Sequence, residues 1–153
     1  MPKVVIASPE ALQAWVGQEV ALSDWLPVTQ ERIDRFAEAT GDHQWIHVDP
    51  ARAAAESPFG GTIAHGYLTV ALIATLMLES VEVGGCRMII NYGVNRLRFL
   101  TPVRSGDRVR ARFTLAALEP IKGGAQLEWT VQVEIEGQVK PACVAEVVYR
   151  LYE

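Results

Sequence analysis

The chain has 153 residues, 50% hydrophobic and 21% charged, a composition that suits one globular domain and excludes a disordered or fibrous chain. A net charge of −4 without a long run of one sign argues against a nucleic-acid surface. Residues 1–7 lack a signal-peptide core, no apolar stretch is long enough to span a bilayer, and Cys86 and Cys143 offer neither a disulfide framework nor metal-ligand spacing, so a cytoplasmic protein away from membranes is expected.

In chain order, Ser8-Pro9-Glu10 supplies an N-cap, a first-turn proline and a first-turn acid, predicting a helix to about Val16 with Gly17 ending it. Residues 20–28 are mixed and predict an extended segment. Thr29 then caps a helix in which Ile33, Phe36 and Ala37 recur at helical spacing and Gly41 sits at the C-terminal end. Asp49-Pro50 repeats the cap-plus-proline signal and starts a short alanine-rich helix through Ala55. Ser57-Pro58-Phe59-Gly60-Gly61 predicts a loop. Residues 66–81 are apolar nearly all round, which predicts a helix buried on most sides.

After Gly84-Gly85 the period changes to two. Residues 88–100 predict a strand with a bulge at Asn91 or Gly93. Residues 109–115, 127–135 and 143–151 alternate apolar and polar positions, with turn signals at Ser105-Gly106-Asp107, Lys122-Gly123-Gly124 and Glu136-Gly137. The layout predicts a single α+β domain over residues 1–153, with an antiparallel sheet wrapped around a long central helix.

The chemistry concentrates in residues 41–47 and 63–67. Asp42 and His47 are five residues apart, which does not put them on one helical face; they converge only if their loop folds back. If it does, a carboxylate and an imidazole can hold one water between them, and otherwise Asp42 merely follows a helix cap. His65-Gly66 opens the apolar helix. Its unpaired first-turn N–H groups could stabilise an enolate oxygen, and glycine would let a thioester approach the backbone; the alternative is a close-packing glycine and a structural histidine. His43 and His47 form an i, i+4 pair, but they follow a helix-ending glycine and lack a third ligand unless His65 serves, so no metal is expected. Arg96, Arg98, Arg104, Arg108, Arg110 and Arg112 cluster in the strand region; most should be solvated, though one or two could meet phosphate. No nucleophile elbow or phosphate-cradling loop is present, which leaves covalent catalysis without support.

The stretch Ala39-Thr40-Gly41-Asp42-His43-Gln44-Trp45-Ile46-His47-Val48-Asp49-Pro50, followed by Phe59-Gly60-Gly61-Thr62-Ile63-Ala64-His65-Gly66-Tyr67-Leu68, resembles the hydratase motif of MaoC-like dehydratases, the (R)-specific enoyl-CoA hydratases of the hot-dog fold. Asn91-Tyr92-Gly93, Arg96-Leu97-Arg98-Phe99 and Pro102-Val103 resemble the nodulation-protein-N-like branch. The resemblance covers roughly residues 20–150. It implies reversible hydration of a trans-2-enoyl-CoA to an (R)-3-hydroxyacyl-CoA in a homodimer whose sheets join edge to edge. Asp42 and His47 match the catalytic pair, and Gly66 matches the glycine whose N–H faces the thioester oxygen. His65, Trp45, Phe59, Tyr67 and Arg98 are candidate substrate contacts. No cofactor is implied, coenzyme A being part of the substrate. Two positions depart from the pattern: Gln44-Trp45 stands where many members have Asn-Pro, and Ala74 where some have serine. A hot-dog acyl-CoA thioesterase and a non-catalytic acyl-thioester binding module are the alternatives, since one fold hosts many functions.

Overall fold

A computed structural model describes residues 1–153. The chain begins with β1 (Val4–Ile6), a 3-10 helix (Glu10–Trp15), β2 (Glu19–Leu22) and β3 (Leu26–Pro27). Three helices follow: α1 (Gln30–Thr40), α2 (Trp45–Val48) and α3 (Pro50–Glu56). Then come the long α4 (Gly66–Ser80), the short β4 (Val81–Val83) and four long strands, β5 (Met88–Phe99), β6 (Arg108–Ile121), β7 (Gly124–Ile135) and β8 (Cys143–Tyr152).

Period-two alternation produces the antiparallel run that was predicted. The sheet order is β2-β6-β7-β8-β5, with β3 also on β6, so the two short N-terminal strands extend the four-stranded core of the sheet at one side. Inward positions of β6 and β7 (Val109, Ala111, Phe113, Leu115, Trp129, Val131, Val133) are buried. Phe113 and Trp129 meet edge to face, with centroids 6.4 Å apart at 85°. On the outer face, charged residues pair across the strands: Arg110 and Arg112 share Glu134, Arg112 also reaches Glu19, and Arg108 pairs with Glu136. Those pairs occupy half of the arginine cluster seen in the sequence.

The buried side of α4 supplies Leu68, Leu72, Ile73, Leu76 and Met77 to the core. The helix is less enclosed than its composition predicts. Tyr67, Ala71 and Leu78 form an exposed stripe at spacings of four and seven, because the sheet curls against one side of the helix only. Beside that stripe runs β5, whose outer edge pairs with nothing in the chain. The bulge expected near Asn91 is present between Asn91 and Gly93, with a second between Val94 and Arg96.

Two local expectations differ. Residues 10–15 form a 3-10 helix rather than an α-helix; the Ala11 N–H reaches Ser8 Oγ at 3.3 Å as a cap would, but a six-residue segment pinned by one fully buried side chain, Leu12, is too short to propagate. The parallel pairing of β1 with β4 was not anticipated, and three-residue strands carry no periodicity from which to infer it.

Candidate functional site

The site is built around the turn after α1. Thr29 Oγ1 accepts from the Arg32 N–H at 3.2 Å and starts that helix, and Gly41 ends it in the left-handed conformation (φ 79°) that a side chain would strain. The reversal delivers Asp42 to the surface, where its Oδ1 accepts from the Gln44 N–H at 3.3 Å. A single helical turn, α2, where only a loop was expected, then folds His47 back towards Asp42. That turn is pinned across the chain, with the Ile63 N–H donating to the Ile46 carbonyl at 3.0 Å. Gln30 at the start of α1 donates to the His47 carbonyl at 2.7 Å and accepts from the buried Thr62 hydroxyl at 2.6 Å.

His47 is buried, and its Nδ1 lies 2.7 Å from the Ile63 carbonyl. A carbonyl only accepts, so Nδ1 carries the proton and Nε2 keeps a free lone pair. Burial pushes the pKa of His47 below its ordinary value of 6.5, against the opposing pulls of the Ile63 carbonyl and the Asp42 carboxylate; His65 adds to the lowering. The neutral imidazole is therefore the resting form at neutral pH. One oxygen of Asp42 and one ring nitrogen each of His47 and His65 lie within 4.8 Å of one another. That separation admits a water hydrogen-bonded to both Asp42 and His47.

The same three groups could form a metal-ligand set, but the orientation of the two rings weighs against it. The His47 and His65 rings are stacked, with centroids 3.8 Å apart and planes 24° from parallel, so their in-plane lone pairs do not converge on one ion.

Gly66 follows His65 at the first turn of α4. The N–H groups of Gly66 and Tyr67 make no hydrogen bond within the chain, which leaves two donors and the positive end of the helix dipole beside the imidazoles. A Cβ on Gly66 would sit 2.9 Å from the Phe99 ring, so the close-packing role and the open backbone coexist at this glycine. A cavity of about 300 Å³ lies here, bounded by Ile63, Gly66, Thr69, Phe99, Leu100 and Pro102. Further along α4, a second and more apolar cavity of about 150 Å³ lies between Ala74, Met77, Ile89, Trp129 and Tyr149.

Asp42, His47, His65 and Gly66 are thus brought together. The other candidates lie around them. Trp45 is half-buried, with the Arg52 guanidinium 4.3 Å over its ring. Phe59 is half-buried in the loop before α4, and Tyr67 is 75% exposed on the open stripe. Arg98 is exposed on β5 and donates to the adjacent Leu97 carbonyl at 2.8 Å, without an acidic partner. The supporting roles of Gln30 and Thr62 had no sequence signal, since they lie 32 residues apart.

Comparison with known proteins agrees with this architecture. Residues 11–137 match the family described as MaoC like domain. The chain is 51% identical over 140 residues to the 3-hydroxyacyl-thioester dehydratase Z of Mycobacterium tuberculosis, covering 91% of this chain and 92% of that protein. It is 48% identical over 133 residues to nodulation protein N of Rhizobium leguminosarum bv. viciae, covering 85% and 82%. Among solved structures, the unliganded (R)-hydratase PhaJ1 of Pseudomonas aeruginosa aligns with a TM-score of 0.73 at 27% identity, over 90% of this chain and 82% of that one. The (R)-hydratase of A. caviae involved in PHA biosynthesis aligns at 0.69 and 29%, over 89% and 96%. The sheet and helix are those of the hot-dog fold. No helix is long and apolar enough to cross a membrane.

Proposed function

We propose, for a chain that belongs to the MaoC-like dehydratase family, the reversible hydration of a trans-2-enoyl-CoA to an (R)-3-hydroxyacyl-CoA. The observation that carries this reading is a neutral His47, its Nδ1 held by the Ile63 carbonyl and its Nε2 left free, with one ring nitrogen within 4.8 Å of an Asp42 carboxylate oxygen and with the unpaired N–H groups of α4 next in the chain to the stacked His65. The thioester carbonyl would accept from the Gly66 N–H, which draws electron density from C3 and stabilises the enolate that forms. Asp42 and His47 hold the water. His47 Nε2 takes its proton as the oxygen bonds to C3, and Asp42, to which the imidazolium passes that proton, delivers it to C2. The pair ends the cycle as it began, with one water added across the double bond of the enoyl thioester. No resident cofactor or metal is needed, and coenzyme A enters as part of the substrate.

The pantetheine arm and acyl chain would lie along the seam between α4 and β5, where both cavities open. Arg96, Arg98 and Arg104, which lack acidic partners, are available to meet the phosphates. A second copy joined at β5 would cover the exposed strand and complete the seam, as in the edge-to-edge dimers that the resemblance implies.

The test is the loss of enoyl-thioester absorbance with crotonyl-CoA and a longer enoyl-CoA, with a thiol reagent in parallel. Absorbance loss without free thiol supports hydration. Thiol release would make the protein a thioesterase, and no change with either substrate would leave it a binding module or a user of another carrier.

A further inference from the structure

We infer that His65 is a positioning residue, which sets both the ring of His47 and the loop of Asp42 without touching substrate. Three observations carry this. His65 is 2% exposed and lies beneath the reacting pair, walled by Phe36 on another side at 4.9 Å between ring centroids. Its Nε2 is 3.0 Å from the backbone carbonyl of Asp42, a contact spanning 23 residues that ties the start of α4 to the loop after α1. Its ring stacks on His47 at 3.8 Å.

The tautomer follows from the acceptor. The Asp42 carbonyl has no hydrogen to give, so His65 Nε2 carries the proton and donates it. Its Nδ1 is buried and makes no hydrogen bond, so it stays a bare lone pair. A second proton there would have no acceptor and would put a cation against the face of His47. Neutral His65 thus presents one donor, aimed at Asp42, and one flat face, laid against His47. Among the titratable groups acting on His47, Asp42 on the loop draws a proton towards it and His65 opposes one.

Two parts of the arrangement separate by substitution. His65→Phe keeps a flat ring against His47 and removes the donor. His65→Gln keeps an amide N–H near the position of Nε2 and removes the ring. The chain has only three histidines, so nitrogen-resolved NMR of the imidazoles assigns all of them. In the unaltered protein the neutral form of His65 is expected to carry its proton on Nε2. In His65→Phe the His47 midpoint should move to higher pH, because the opposing ring is gone and the freed Asp42 loop admits water. A residue that merely fills the core would leave that midpoint where it was.

The kinetic arm rests on the proposed hydration. There His65→Phe should lower kcat at least ~10-fold by loosening the pair, with His65→Gln restoring part of the loss through its donor. An inactive unaltered protein would overturn the hydratase reading, while the NMR arm, which needs no substrate, still decides this one. A neutral His65 that carries its proton on Nδ1 would overturn the assignment. So would an unmoved His47 midpoint in a folded His65→Phe. Should the Phe variant fail to fold, the tautomer of the unaltered protein and the Gln variant decide it.

Discussion

His47 and His65 lie face to face, 3.8 Å between centroids, and each gives its N–H to a backbone carbonyl on a different segment, Ile63 for one and Asp42 for the other. The stack and its two hydrogen bonds therefore join two segments of the chain, residues 42–47 and 63–65, at the point where the water would sit. It also makes protonation of His47 costly, since a charge there gains only the exposed Asp42 as counter-ion while losing solvent.

The pH dependence follows in sign. The folded-state pKa of His47 is lowered from 6.5, and the base is active when neutral. Activity should hold at and below pH 6.5 and fall only as pH drops through the lower folded-state value, so the acid limb of kcat/KM lies under 6.5. The same shift affects stability. Above the unfolded-state value His47 is neutral in both states and contributes nothing adverse. As pH falls through that value and then the folded one, the unfolded chain takes the proton first and the native state loses ground. Thermal unfolding of the unaltered protein and His47→Gln across this range should converge with falling pH. An acid limb well above 6.5 would contradict the buried neutral imidazole.

Removing either member of the pair tests the chemistry directly. Asp42 is exposed, and its carboxylate accepts only the Gln44 N–H, so Asp42→Asn should leave the fold intact. His47→Gln keeps an amide able to donate to the Ile63 carbonyl. Both are expected to lower kcat by at least ~10² while the circular dichroism spectrum is preserved. Near-normal turnover in both would remove these residues from the mechanism.

Gly66→Ala separates packing from backbone access. The new methyl would meet Phe99 at 2.9 Å, but the contact is with the tip of a ring that is 49% exposed on the sheet edge and free to swing away. The stability cost should therefore be near the low end of overpacking, ~1 kcal/mol, with catalysis falling by ~10² as the carbonyl is pushed off the Gly66 N–H. Denaturant titration and steady-state rates check the two halves separately. A loss of stability without a loss of rate would make Gly66 a packing residue only.

Much of this was legible in the sequence because it depends on local rules. Thr29 and Gly41 mark the ends of α1, and Asp49-Pro50 starts α3 with Asp49 Oδ1 accepting from the Arg52 N–H at 3.0 Å. The alternation in β6, β7 and β8 set their inward faces. What was not legible depends on distance. Nothing in residues 42–47 announces that the Ile63 backbone will hold both Ile46 and His47, and nothing near His65 announces that it will lie under His47. The open stripe on α4 was hidden for a different reason: composition reports how apolar a helix is, not whether one chain suffices to cover it.

The Gln30 bridge gives a stability prediction independent of turnover. Its amide joins α1, the His47 carbonyl and a Thr62 hydroxyl that is only 5% exposed. Gln30→Ala leaves that hydroxyl and carbonyl without partners, an expected cost of ~1–3 kcal/mol by urea unfolding. Gln30→Glu keeps the acceptor for Thr62 but removes the donor to His47, and should recover part of the loss. Equal stability of Gln30→Ala and the unaltered chain would show that water replaces the bridge.

The edge strand β5 bears on how the seam is closed. Met88, Ile89, Ile90, Tyr92, Val94 and Phe99 are each at least 40% exposed, and they lie on both faces of a twelve-residue strand whose outer backbone groups have no partner. An apolar edge of that length is a template for pairing, and natural sheets blunt such edges with charge, proline or a covering element. Charge is present only towards one end, at Arg96 and Arg98, so the apolar end from Met88 to Val94 is left to be covered. A second copy laid antiparallel would satisfy both backbones and cover the adjoining stripe of Ala71 and Leu78 as well. The expected result is a dimer by sedimentation equilibrium at micromolar concentration, with Ile90→Lys combined with Val94→Lys giving a monomer. The monomer should lose activity in proportion to its population, because the seam that holds the acyl thioester would be left open on one side. A fully active monomer, or an unaltered protein that is monomeric, would place the whole site within one chain.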